Sequence, residues 1–308
     1  MKDMFGKLKD VKLGAQAGGR PPAAIEIAPE GVLAAALPGP GQQPVYAFEP
    51  LAAGSVAPGI AEANVRAPEA VTTAIRAALG KVSPRTRAVT VVLPDTSVRV
   101  FVLDFDSLPA KTEEALPVLR FRLRKMVPFE VEHAGVSYQV LVDKKTEVKI
   151  LAAVIPAPIL HEYEAAVRAA GYEPGAVLSS SLAALASRES MEAMLTASLS
   201  GSALTTSIVN GQDLLLYRTL DLPEAHDQRR GEVQRGIAVA AAYYEDKLQA
   251  KPSQLYFSGI GGAQHFRQWI DDPELVVADL ADAPSTGAVT PLSEFSVAPV
   301  AGALAGVS

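Results

Sequence analysis

The chain has 308 residues, enough for two ordinary domains or one bilobal protein with a sizeable core. Hydrophobic residues at 49% and charged residues at 20% are a globular balance, while 6% aromatics and a formal net charge of −6 disfavour binding to nucleic acid. The absence of cysteine excludes disulfides, thiolate zinc sites and cysteine nucleophiles, and fits a reducing compartment.

The opening stretch, MKDMFGKLKDVKLGAQAGG, lacks the apolar core of a signal peptide. No run approaches the roughly 18 apolar residues of a membrane span, so a cytoplasmic protein is the default. Lys2, Lys7, Lys9 and Lys12 interleave with Met4, Phe5, Leu8 and Val11, a pattern common to a frayed basic tail and a short interfacial helix. Residues 23–50 alternate short apolar runs with turn residues and read as two or three strands of a meander, with a turn at 38–41. PEAVTTAIRAALGKV reads as a helix closing at Gly80, and AVTVVL (88–93) as a strand buried on both faces. A strand over 97–105 precedes a helix over 111–126, whose apolar stripe is Leu116, Leu119 and Leu123 and whose stop is Pro128.

Strands over 135–142 and 148–155 follow, then a helix over 157–170 capped by Gly171, a short strand at 176–178 and a helix from Ser181. The second half restarts with a hairpin, 204–209 and 214–220, across Asn210-Gly211. A long helix (224–249), a strand (255–257), the glycine turn SGIGG, a helix (263–270), a strand (275–278) and a terminal helix (298–307) complete it. Each half opens with a hairpin and continues with helices and strands, the grammar of a duplicated α/β plan with a cleft between lobes.

Several segments resemble one family in order and spacing. VVLPDTSVRVFVLDFDSLP, the helix end RKMVPFEVEHAGVSYQVL and KILAAVIPAPILHEYEAAVRAAGYEPGAVLSSSLAALA look like the type IV pilus assembly protein PilM family. NGQDLLLYR, the helix ending at Tyr243-Tyr244 and LYFSGIGGAQHF extend the resemblance over most of residues 85–305, and MFGKLK resembles the family's opening. The cytoplasmic part of type II secretion platform proteins and the cell-division protein FtsA are alternatives of the same fold. The resemblance implies an α/β, actin-like (RNase H-like) bilobal fold with a small subdomain inserted in the first lobe. Residues 1–20 are then a basic tail, 21–93 and 152–200 the first lobe, 94–151 the insert, 201–290 the second lobe, and 291–308 a helix returning to the first. It also implies a cytoplasmic protein at the inner face of the inner membrane. There it would grip the N-terminal tail of a PilN-like membrane protein, between insert and first lobe, and contact pilus or secretion motor components.

Family members bind ATP between the lobes, with two hairpin turns presenting backbone N–H groups and aspartates to phosphates and metal. Here the first turn reads Glu26-Ile27-Ala28-Pro29-Glu30-Gly31. Glu26 is a longer stand-in for the aspartate, Pro29 lacks an N–H, and Glu30 adds negative charge where phosphates would lie. For the second turn, the stretch between Glu192 and Asp213 holds no acidic residue, although Ser200, Gly201, Ser202, Thr205 and Thr206 offer donors. Gly31 and the adenosine-side turn Gly259, Gly261 and Gly262 complete the candidate nucleotide set, and a tight strand-to-helix turn explains those last glycines equally well. The expectation is a pseudo-ATPase with no catalytic residue and no obligatory cofactor. Binding of ATP and magnesium stays open.

The basic run RFRLRK (120–125) is either a solvated helix face, a wall of the partner groove, or a surface for anionic lipid headgroups. Leu119, Phe121, Leu123 and Met126 are the candidate groove floor. The four histidines, His133, His161, His226 and His265, are scattered without a second ligand at metal spacing, so no metal site is expected. An active ATPase or kinase of the same superfamily and an FtsA-like filament remain the competing readings.

Overall fold

Two five-stranded sheets carry the same strand order. In the first, β1 (Ala23–Ala28), β2 (Gly31–Ala36) and β3 (Val45–Pro50) form an antiparallel meander. β4 (Ala88–Leu93) runs parallel to β1, and β8 (Glu173–Ser179) parallel to β4, giving β3-β2-β1-β4-β8. In the second, β9 (Met194–Ser200), β10 (Ala203–Asn210) and β11 (Asp213–Asp221) repeat the meander, and β12 (Gln254–Ser258) and β13 (Val276–Asp279) add in parallel, giving β11-β10-β9-β12-β13. This is the duplicated, actin-like α/β plan. The computed structural model describes residues 20–39, 41–144, 146–282 and 295–305; the lysine-rich tail lies outside them.

In the first lobe, α1 (Pro68–Val82) and α3 (Ala157–Ala169) cover one sheet face. Proline at the start of α1 costs no hydrogen bond, and Glu69 suits the positive end of the helix dipole. Val71, Ala74, Ile75, Ala78, Leu79 and Val82 are buried along a single stripe, and the helix runs past Gly80 to end at Ser83 in the left-handed region (φ 49°). That stripe packs on Ile25, Ile27, Val32, Val89 and Val91, while the alternate residues Ala24, Leu33, Ala35 and Val92 point to the opposite face.

β9 is a strand where the sequence pattern predicts no element. It pairs in full register with β10, and the turn between them is Gly201-Ser202. Its side toward α5 (His226–Leu248) is apolar, through Leu195 and Ala197, whereas Thr196, Ser198 and Ser200 line the other side. The β10–β11 turn is Gly211-Gln212, one residue later than expected, because Asn210 pairs with Asp213.

β5 (Arg99–Phe105), β6 (Gly135–Lys144) and β7 (Glu147–Ile155) form a separate sheet, ordered β5-β7-β6, between β4 and α3. One face, through Val100, Leu141, Leu151, Ala153 and Ile155, joins the first-lobe core. The other, through Leu103, Val148, Ile150, Ala152 and Val154, carries α2 (Thr112–Leu123). Leu119 and Leu123 are fully buried under α2, so these two residues of the expected groove floor are core of the small subdomain. α2 stops at Leu123, ahead of Pro128.

Two short helices join the lobes: α4 (Ser180–Leu185), which follows β8, and α7 (Ala298–Leu304), at the equivalent place after β13. They pack so closely that a Cβ on Gly302 would stand 1.9 Å from the Ala183 carbonyl oxygen. The carbonyl of Gly302 also receives Arg20 Nη1 at 3.4 Å. Gly302→Ala is therefore expected to lower unfolding free energy by about 1–3 kcal/mol in urea titrations. Gly80→Ala, on an exposed helix position with nothing near its Cβ, should raise it by about 0.4–1 kcal/mol.

Candidate functional site

The interlobe cleft is lined by both hairpin turns and by the segment leading into α7. From the first lobe come Glu26, Ala28, Glu30 and Gly31; from the second come Leu199, Ser200, Gly201, Ser258 and Gly259. The fold thus brings Glu26, Gly31, Ser200, Gly201 and Gly259 of the candidate set together around one space.

The contents of that space differ from a phosphate cradle. Gly31 lacks a side chain because Phe48 lies over it: a Cβ there would meet Phe48 Cζ at 2.5 Å and the Glu49 carbonyl at 2.3 Å. Phe295 stacks on Phe48 with ring centroids 3.9 Å apart. Leu33, Leu199, Ile260 and Pro299 complete an apolar lining. The remaining cavity is about 60 Å³, room for a few water molecules. A small-molecule pocket ordinarily holds about 300–1,000 Å³.

Glu26 lies at the floor and accepts a hydrogen bond from Ser180 Oγ at 2.6 Å. Burial, assisted by the nearby carboxylates of Asp95 and Glu30, pushes its pKa up to about 7 against the favourable Ser180 bond. Glu30 is also raised by burial, with Arg229 opposing the shift. Arg229, from α5, donates to the Gly201 carbonyl at 3.1 Å and so ties that helix to the second turn. Two carboxylates therefore face the cleft where an anionic phosphate chain would need donors.

The sequence reading missed the residue that organises this region. Asp95 follows β4 in a three-residue helical turn (Asp95–Ser97) that is wholly buried. One carboxylate oxygen accepts from the Ser181 backbone N–H at 3.1 Å, the other from Thr205 Oγ1 at 2.9 Å, and its own N–H donates to Ser200 Oγ at 3.2 Å. Ser181 is in the first lobe, whereas Thr205 and Ser200 are in the second, because β9 pairs with β10 and the lobes divide before Met194 rather than after Ser200. Burial raises the pKa of Asp95, and its bonds to Ser181 and Thr205 oppose that. Ser181 Oγ is further paired with the buried Tyr217 hydroxyl at 2.6 Å. An acidic residue at the carboxyl end of an apolar parallel strand was the available signal.

Other candidates fall outside the cleft. Thr206 is buried on the α5 side of β10, the side of Leu204 and Ile208, opposite Thr205. Ser202 sits in the turn, and its carbonyl accepts the Leu222 N–H. Gly261 and Gly262 are left-handed (φ 78° and 65°) and shape the entry to α6 (Gly262–Arg267). Asp279 occupies that turn, with Oδ1 accepting the Ala263 N–H at 2.8 Å. Gly201 is close to the first lobe, where its Cβ would meet Thr96 Oγ1 at 3.3 Å. Among the described residues no three His, Asp or Glu side chains group as metal ligands, and all four histidines are exposed.

No protein-family model matches the chain, and no curated protein matches it. Solved structures do. The chain is similar to one from a "PilM-PilN type IV pilus biogenesis complex", with 16% identity, covering 92% of this chain and 96% of that one at a TM-score of 0.66. Two others are the cytoplasmic domain of EpsL, an inner-membrane component of the Vibrio cholerae type II secretion system (12% identity, 86% and 89% covered, TM-score 0.49), and a Bacteroides thetaiotaomicron protein with an actin-like ATPase fold (14%, 88% and 96%, 0.49). The first likeness shows the shared fold over nearly the whole length of both chains.

A carboxyl group with a raised folded pKa stabilises the fold while it is protonated and loses that contribution as pH rises. Between its ordinary value of 4.5 and its folded value of about 7, Glu26 should cost stability on the order of 3 kcal/mol. Urea unfolding at pH 5 and pH 7.5 should show this fall in the parent chain and a clearly smaller one in Glu26→Gln.

Proposed function

We propose that this chain is an adaptor of a pilus or secretion assembly platform, binding the N-terminal tail of a PilN-like protein at the inner membrane without hydrolysing ATP. The observation that carries the reading is the state of the cleft. Aromatic side chains fill the first turn, two carboxylates face the gap, and Asp95 spends its carboxylate on bonds between the lobes. Phosphoryl transfer needs positioned donors and a metal-binding carboxylate in that space. The pilus assignment is supported by the whole-length likeness to a protein named for its complex with PilN. Among the described residues no helix is long and apolar enough to cross a membrane, so membrane association would come through partners or surface contact.

A seam between the small sheet and the first lobe suits a polar peptide. Ser137 and Gln139 alternate along β6 with Val136, Tyr138 and Val140, which face α2, and so point to the first-lobe side. Ser137 Oγ and Gln139 Oε1 are buried without a hydrogen-bond partner among the described residues. A buried polar atom left in that state costs about 1–3 kcal/mol, which a peptide N–H would recover.

Titration calorimetry with peptides of the N-terminal cytoplasmic tails of PilN-like membrane proteins should give saturable binding, weakened about tenfold by Gln139→Leu. Failure of every such tail to bind overturns the adaptor reading. Magnesium-ATP should give neither heat nor phosphate release. Turnover that disappears in Glu26→Ala or Asp95→Asn would instead establish the enzyme reading.

A further inference from the structure

α2 presents an outward face with an unusual composition for this chain. Of seven exposed large hydrophobic residues among those described, Val118, Phe121 and Met126 belong to α2 or the turn after it. Phe121 is 64% exposed, whereas Val118 and Met126 are each 39% exposed. Val118, Phe121, Arg122 and Lys125 follow helical i, i+3, i+4, i+7 spacing and so share one stripe. Lys125 Nζ stands 5.7 Å from the Phe121 ring centroid.

The cations nearby divide by what they already bind. Arg120 is turned inward, to the carbonyls of Val131 and Ala134. Arg124 pairs with Glu132. Arg122 and Lys125 carry no ion pair among the described residues and share the stripe of the exposed ring. The acidic residues Glu113 and Glu114 are confined to the first turn, where the helix dipole favours them and Lys111 reaches Glu114. Glu130, beyond the helix, is exposed. The C-terminal half of α2 is thus an apolar stripe edged by free positive charge, in a chain whose net charge is −6.

We propose that this face rests on a membrane surface, with Phe121, Val118 and Met126 at the headgroup–acyl boundary and Arg122 and Lys125 on anionic lipid headgroups. Charge complementarity and shape both favour a bilayer over a polypeptide. Around Phe121 the residues Pro117, Arg122 and Arg124 are themselves exposed, so the ring stands out from the helix surface, while Met126 lies at the edge of a groove shared with β5 and β11. A protruding ring with cations at its sides suits an interface that is apolar within and anionic at its rim. Two free cations and three apolar side chains give only weak attraction, too little to anchor the protein alone. Such a contact orients a protein held at the membrane by something else, and its own existence does not depend on the tail-binding reading.

The chain has no cysteine, so one introduced thiol is a unique labelling site. Val118→Cys, carrying an environment-sensitive dye, reports from the stripe. Met191→Cys, 88% exposed and on the loop before β9, reports from a surface away from it. The full chain would be titrated with vesicles of equal phosphatidylglycerol and phosphatidylcholine in low salt. A blue shift is expected at position 118 and not at 191, with little response to phosphatidylcholine alone. Arg122→Glu with Lys125→Glu should lower the apparent partition coefficient at least about tenfold, and Phe121→Ser several-fold. All three positions are exposed, so unchanged thermal unfolding will certify the variants. No shift at 118, equal shifts at both positions, or a shift indifferent to charge reversal overturns the proposal. A shift given by an acidic polypeptide but not by the vesicles also overturns it, and assigns the face to a protein partner.

Discussion

The buried turn Asp95-Thr96-Ser97 is the contact on which the arrangement of the lobes depends. Asp95 is bonded to both lobes, through Ser181 on one side and through Thr205 and Ser200 on the other. Ser97 Oγ accepts from Asn64 Nδ2 at 2.8 Å, and that amide also reaches the Tyr163 hydroxyl, so the turn is joined to α3. Immediately after it, Arg99 forms an ion pair with Asp221 at the end of β11. A carboxylate taken out of water is costly, and the bonds from Ser181 and Thr205 offset part of that cost. Separating the lobes would break the Thr205 and Ser200 bonds and leave the turn held by the first lobe alone. Closure is thus held by the protein's own polar groups, in a position where a nucleotide could have done so.

The cleft follows from that closure. Both hairpin turns border the cleft, and packing fills the space around them. Gly31 accommodates Phe48, Phe295 covers Phe48 from the α7 side, and Gly201 receives Thr96. The carboxyl of Glu26 is held near neutrality by burial and by its acidic neighbours. The cleft lining is partly core: Leu33 and Phe48 belong to the buried cluster under α7, and Leu199 packs on the core of the second lobe.

The small subdomain shows how one sheet serves two neighbours. Its first-lobe face is continuous with the main core through Leu151, Ala153 and Ile155, and its other face holds α2 as a roof. Among the described residues, that division leaves the outer side of α2 exposed and two polar atoms on β6 at the seam without partners. Both are surfaces set by topology rather than by any one motif.

Much of the fold was readable in the sequence, because periodicity is enforced locally. The apolar run 88–93 and the strands expected over 97–105 and 148–155 correspond to β4, β5 and β7, and the hairpin-first order of each half foretold the duplicated plan. The erosion of the first turn was equally visible in Pro29 and Glu30. β9 was obscured because the side it turns to the first lobe is Thr196, Ser198 and Ser200, which imitates a polar loop, although M-L-T-A-S-L-S keeps a period of two. The stripe Leu119, Phe121, Leu123 and Met126 could not be divided into core and surface from spacing alone, since only the sheet beneath α2 decides which side is covered. Asp95, Phe48 and Phe295 gained their roles from residues far away in the chain. Sequence by itself determined the elements and their repeated order, through short-range sterics and alternation. Tertiary structure alone decided which carboxylate is buried between the lobes and what fills the cleft, because burial and pairing are properties of chain segments brought together only by folding.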